Sequence, residues 1–130
     1  MSNEAVRIRD MDDERAAEVI VERLEVAFTE LVFSAWDQDF LQTDEGRRGM
    51  RAALVDRYLA SRRHAVSWLD DVIGLSGSTV VEVGCGTGSS TVALAERNAV
   101  VFAIDIDEPS VAAARSRVDA HVVDRVSITR

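Results

Sequence analysis

Apolar residues recur along the chain in two rhythms, and the change between them falls near Ser78. From about Asp12 to Ala35, Val19, Ile20, Leu24, Ala27, Phe28, Leu31 and Ala35 return at helical spacing, with Glu18, Glu22, Arg23, Glu25 and Glu30 between them. That spacing gathers the apolar set on one face of an amphipathic helix. A polar stretch follows, Asp37-Gln38-Asp39 and then Gln42 to Gly46, in which Thr43 is placed to cap a second helix with acidic residues in its first turn. This helix is predicted to run to about Ser61 with Met50, Leu54, Val55, Tyr58 and Leu59 inward. A third helical stretch carries Trp68, Leu69, Val72 and Ile73 and stops at Gly74, ahead of the loop Leu75-Ser76-Gly77-Ser78.

Beyond Ser78 the rhythm shortens. Thr79 to Val83 is β-branched and mostly apolar, which reads as a strand covered on both faces. Thr91 to Asn98 has the alanine and leucine content of a helix, and Val100 to Ile104 reads as a second buried strand ending at Asp105. Asp107 can cap the next helix, with Pro109 in its first turn and Val111, Ala112, Ala114 and Val118 along it. Val126 to Thr129 is a third strand. Strand and helix in alternation imply an α/β fold with a parallel sheet and right-handed crossovers. The expected organisation is a helical cap region over residues 1–78 and a sheet-bearing half-domain over residues 79–130.

Composition narrows the function classes. At 130 residues, 47% hydrophobic and 29% charged, the chain is of globular type, not disordered. A net charge of −8 disfavours nucleic acid and anionic lipid as partners. No apolar run approaches the roughly 20 residues that cross a bilayer, and Met1 to Asp10 has no secretion pattern, so a cytoplasmic protein is expected. Every basic residue is arginine, which excludes lysine chemistry within this chain. Cys85 is the only cysteine, so neither an internal disulfide nor a cysteine metal site is expected, and no metal is assigned.

The chemistry concentrates in Glu82-Val83-Gly84-Cys85-Gly86-Thr87-Gly88, between a predicted strand and a predicted helix. Glycines there let the backbone turn sharply and approach a ligand, and the free amides of the helix start attract negative groups. Asp105 ends the next strand 21 residues after Gly84, where a carboxylate can accept hydrogen bonds from both hydroxyls of a ribose. The pair points to an adenosine-containing ligand. A dinucleotide fingerprint places its third glycine where this chain has Ser89, and a P-loop needs a lysine that is absent. Glu82 repels a pyrophosphate but suits a ligand carrying an ammonium and a sulfonium, as S-adenosylmethionine does.

Val80 to Gly88 together with Ala103-Ile104-Asp105-Ile106 resembles the first two cofactor motifs of class I S-adenosylmethionine-dependent methyltransferases. The resemblance spans about Thr79 to Arg117. It implies a Rossmann-like, doubly wound sheet with first-half strand order three-two-one. It also implies that Glu82, Gly84, Gly86 and Gly88 hold the methionine end of the cofactor, Asp105 the ribose, and that Ile106 packs on adenine. The expected activity is methyl transfer to a small-molecule acceptor, with no catalytic residue assigned. Two alternatives stand beside it: a non-catalytic module binding the cofactor or S-adenosylhomocysteine, and a nicotinamide-dependent oxidoreductase with a degenerate loop.

The remaining candidates have plainer readings. Cys85 is expected to be a compact filler, and His121 a surface residue. His64, beside Arg62 and Arg63, is within reach of a cofactor carboxylate or of a base role, though a solvated helix face explains it. Trp36, Phe40, Tyr58 and Trp68 divide between core packing and a substrate pocket. Three strands form half of a doubly wound sheet, so an incomplete fold is expected: the outer edge of Thr79 to Val83 left unpaired, self-association or poor solubility through it, and no turnover by this chain alone.

Overall fold

The computed structural model describes residues 8–31, 38–121 and 123–130. A short 3-10 turn, Ile8–Asp10, leads into α1 (Asp13–Leu31), α2 (Gln38–Leu41) and α3 (Asp44–Arg51). Thr43 caps α3 as its sequence implies: its Oγ1 accepts the N–H of Gly46 at 3.0 Å. Two π-helical turns, Ala52–Asp56 and Ser61–Ala65, flank α4 (Arg57–Ala60), and α5 (Val66–Ile73) follows.

The second and third predicted helices are thus one continuous rod over residues 44–73. The backbone stays right-handed helical at the junction residues Ala52, Arg57, Ser61 and Val66. No glycine or proline lies between Met50 and Ile73, so the polar run Ser61 to His64 makes a solvated turn of the rod instead of a break. Gly74 ends it with φ +68°, its N–H bonded to the carbonyl of Asp70 at 2.8 Å. Met50, Leu54, Val55 and Tyr58 face inward, whereas Trp68, Val72 and Ile73 are exposed.

Strands β1 (Thr79–Val83), β2 (Val100–Ile104) and β3 (Val126–Thr129) alternate with α6 (Ser89–Glu96) and α7 (Glu108–His121). Asp107 caps α7 by accepting the N–H of Ser110 at 3.0 Å. The sheet is parallel with order β1-β2-β3; Val83 pairs with Ile104, and Ile104 with Thr129. This is the predicted half-sheet order.

One expectation is corrected. The strands are covered on one face only: Val101 and Ala103 are fully buried, while Val81 is 64% and Val83 82% exposed, with Phe102 and Ile104 beside them also exposed. Two successive crossovers that move the same way across a sheet place both helices on the same side, so α6 and α7 cover one face together. A single hydrophobic cluster runs from Ile8 and α1 through Leu54 and Tyr58 to Val92, Val101 and Ala113. The helices before residue 78 and the sheet after it therefore share one core. The side chains expected inward at Ala27, Phe28 and Leu31, with Ala35 and Trp36, lie outside the described residues. No helix among the described residues is long and apolar enough to cross a membrane.

Candidate functional site

The backbone leaves β1 at Val83 and turns through the glycine loop into α6. The N–H groups of Gly84 and Cys85 both donate to the carbonyl of Ile104, at 2.8 and 3.1 Å, so the loop is laid across the end of β2. Gly86 and Gly88 have φ of +54° and +84°, a region costly for any side chain with a Cβ. Their surroundings differ. A Cβ on Gly86 would meet nothing within 4 Å, whereas one on Gly88 would press on Ala114 of α7. The middle of the loop is open space, and its last glycine lets α6 close on α7.

Asp105 is joined to this loop. Its Oδ1 accepts the N–H of Asp107 at 2.9 Å and its Oδ2 the N–H of Gly86 at 2.8 Å. These two amides, that of Asp107 foremost, hold the carboxyl below its usual range. Each oxygen retains acceptor capacity for a further donor. Ile106 follows as an apolar side chain that is 87% exposed.

Glu82 lies on the helix-covered face of β1. Its carboxylate accepts the hydroxyl of Thr91 at 2.6 Å and that of Ser90, which ties the strand to the first turn of α6 and sets a negative charge near the positive end of that helix. Above the loop is a cleft of about 370 Å³. Gly84 to Thr87, Ser89 and Ser90 form one wall, and Arg57, Ala60 and Ser61 of the rod form the other.

Arg57 is the residue that sequence reasoning missed. It is exposed, and among the described residues no hydrogen bond or ion pair engages its guanidinium. The three neighbours considered instead are placed elsewhere. Arg63 binds Asp13 at 2.6 Å, Arg62 donates to the carbonyl of Met11 at 2.7 Å and to the Tyr58 hydroxyl at 3.2 Å, and His64 is exposed. No local signal separates Arg57 from the other arginines, because its position over the loop depends on the rod's path.

The other candidates are settled by burial. Burial, reinforced by Glu82 and Asp105, pushes the Cys85 thiol up to about 11, so it stays protonated and inert, the filler its neighbours imply. Tyr58 is buried in the core and donates to Glu96 at 2.6 Å. Phe40 and Trp68 are partly exposed and do not line the cleft. His121, expected at the surface, is instead buried: its ring meets Tyr58 edge-on at 4.9 Å. Its Nδ1 lies 2.9 Å from the Arg117 carbonyl, which can only accept, so Nδ1 carries the proton. Burial and then the Arg117 charge lower its pKa to about 3. The reason for the difference is long-range, since α7 packs against α1 and α6 and its charged local sequence carries no trace of that. Among the described residues no group of three or more side chains is arranged to hold a metal ion.

The family described as "Methyltransferase domain" matches residues 80–130, the span of sheet, loop and carboxylate. A tRNA/tmRNA (uracil-C(5))-methyltransferase from Cronobacter sakazakii is 33% identical over 111 residues, covering 85% of this chain and 26% of that protein. A ubiquinone biosynthesis O-methyltransferase from Pseudomonas paraeruginosa is 48% identical over 50 residues, covering 38% of this chain and 22% of its own. Residues 80–130 therefore carry a methyltransferase domain of the S-adenosylmethionine-dependent class I type.

The chain shares its fold with magnesium protoporphyrin IX methyltransferase from Synechocystis PCC 6803 with bound SAH. The TM-score is 0.55 at 23% identity, over 90% of this chain and 50% of that one. The chain thus spans about a quarter of the length of the curated relatives it matches and half of the structural one.

Proposed function

We propose that the chain forms the cofactor side of a cytoplasmic enzyme that moves a methyl group from S-adenosylmethionine to a small-molecule acceptor. The observation that carries this reading is the bond between Gly86 and Asp105, which joins an open glycine loop to a carboxylate with acceptor capacity to spare. The residues fit the group. Gly84 and Gly86 leave space for its methionine end, Gly88 supports the loop by letting α6 close on α7, Asp105 takes the ribose hydroxyls, and exposed Ile106 offers an apolar platform to adenine. Arg57 supplies the cation for the carboxylate of the amino acid part. Glu82, held by Ser90 and Thr91, adds negative charge under the loop, which suits a cationic ligand and opposes a pyrophosphate. Residues 1–78 act as the cap over this half-domain.

When bound, the cofactor supplies a methyl group already activated by its sulfonium, so the protein has to hold, orient and dry the site. The chain's own contributions are the open backbone of the loop at Gly84 and Gly86, the Asp105 carboxylate and the Arg57 guanidinium. Calorimetric titration with S-adenosylhomocysteine and with NAD tests the reading: the sulfur ligand is expected to bind tighter, and tighter binding of NAD overturns it. The acceptor class is tested by transfer of a labelled methyl group to a small-molecule fraction and to bulk tRNA; label found in the RNA alone overturns the small-molecule assignment.

A further inference from the structure

Arg117 is the largest side chain among those fully buried in the described residues, and nothing above uses it. It projects from α7 one turn after Ala114, the residue on which Gly88 packs. Its Nε donates to the carbonyl of Thr87 at 3.0 Å and its Nη1 to the carbonyl of Leu54 at 3.0 Å. Thr87 is the residue between Gly86 and Gly88. Leu54 lies in the π-turn Ala52–Asp56, immediately before the α4 segment that presents Arg57 to the cleft. One guanidinium therefore grips both walls of the cleft from behind.

The physical need for such a grip is clear. A glycine-rich loop has the greatest backbone freedom to lose on ordering, so it holds a defined shape only where outside contacts fix it. Asp105 fixes the loop at Gly86 from the ribose side. On the opposite side the fixing contact is Arg117, whose planar fork holds two acceptors at a set angle and separation, as a lysine cannot. Burying a cation is costly unless its N–H groups find acceptors, and backbone carbonyls satisfy that demand without cancelling the charge. His121, one turn further along α7, accepts none of this load: it packs on Tyr58 of the rod and bonds the Arg117 carbonyl.

We propose that Arg117 is a positioning residue, which sets the distance between the glycine loop and Arg57 and so the fit of the cofactor's amino acid end. The proposal rests on the reading of the site as one for S-adenosylmethionine. It differs from a general stabilising role in being directional. The adenosine end depends on Asp105 and Ile106, which β2 carries, and the amino acid end depends on the slot that Arg117 spans.

The test compares two ligands on the unaltered chain and on Arg117→Lys and Arg117→Met, each checked for native circular dichroism. S-adenosylhomocysteine carries the amino acid end; 5′-methylthioadenosine lacks it. The expected result is a loss of about tenfold or more in affinity for S-adenosylhomocysteine, less severe for Lys than for Met, with less than about twofold change for 5′-methylthioadenosine. Equal losses for both ligands, or failure of both variants to fold, overturn the positioning role and leave Arg117 as a core residue. If the unaltered chain binds neither ligand, the cofactor reading itself falls and the proposal falls with it.

Discussion

Gly88 and Ala114 touch so closely that a Cβ on the glycine would lie 3.0 Å from the alanine Cβ and 3.1 Å from its Cα. The contact is made by backbone on one side and by the shortest chiral side chain on the other, so neither partner has a flexible end to move away. Gly88→Ala is therefore expected to destabilise the chain by about 3 kcal/mol, from overpacking and a left-handed backbone together. Urea unfolding reads this directly. Gly86→Ala, at an open position, should cost only about 1 to 2 kcal/mol from its backbone angle while losing most cofactor affinity. A reversal of that order would mean that the loop, not the helix contact, limits stability.

Asp105→Asn keeps the shape of the side chain and removes its charge. Binding of S-adenosylhomocysteine should weaken by about tenfold or more, and the loss should nearly vanish for an analogue without ribose hydroxyls. The pH dependence has a defined sign. The folded carboxyl titrates below its ordinary value of 3.8, so its contribution to stability is complete above that value and disappears as pH falls through the folded one. NMR titration of the side chain checks the direction.

His121 works in the opposite sense to a salt-bridged histidine. It is neutral and buried, with a folded pKa of about 3 against 6.5 when free, so the unfolded chain binds the extra proton between those values. Its stabilising effect is complete above about pH 6.5 and declines on acidification, by about 2 kcal/mol on reaching pH 5. The charges facing it are Arg117, Arg62 and Arg23, and all oppose protonation. His121→Gln should flatten this part of the stability profile. An unchanged slope would assign it to the carboxylates.

Arg57→Ala removes an exposed side chain from the rod and should leave unfolding within about 0.5 kcal/mol of the original. Affinity for S-adenosylhomocysteine should drop while that for 5′-methylthioadenosine holds. Equal affinities for the original and the variant would remove Arg57 from the site.

Much of this arrangement was legible in the sequence, and the reasons differ by element. The strand limits at Thr79, Val83, Val100, Ile104, Val126 and Thr129 stand where the β-branched runs begin and end. Thr43, Gly74 and Asp107 mark helix ends because capping is local chemistry that a few residues decide. What was not legible depends on distance. The polar run Ser61 to His64 looks like a break, yet it is one solvated turn of a rod held by contacts at Leu54 and Tyr58. A run such as Val80 to Val83, apolar on both faces except at Glu82, reads as doubly covered; it cannot state that α6 and α7 will cover the same face. Arg57, Arg117 and His121 read as ordinary helix residues, because their neighbours in space come from other elements.

The two π-turns have a consequence for how this chain tolerates changes in length. Each wide turn holds one residue more than an α-turn would, and each residue of a helix advances its direction by about 100°. Removing one residue from Ala52–Asp56 would let that turn close into ordinary helix with the segments on either side still in phase, so Arg57 would keep its aim at the glycine loop. A second deletion before Arg57 would find no wide turn left to absorb it and would swing Arg57 away by that angle. The turn Ser61–Ala65 lies beyond Arg57 and can only correct the aim of α5. For the residues that face the loop, the first wide turn is a reserve of one residue, which the rod can lose without losing the site.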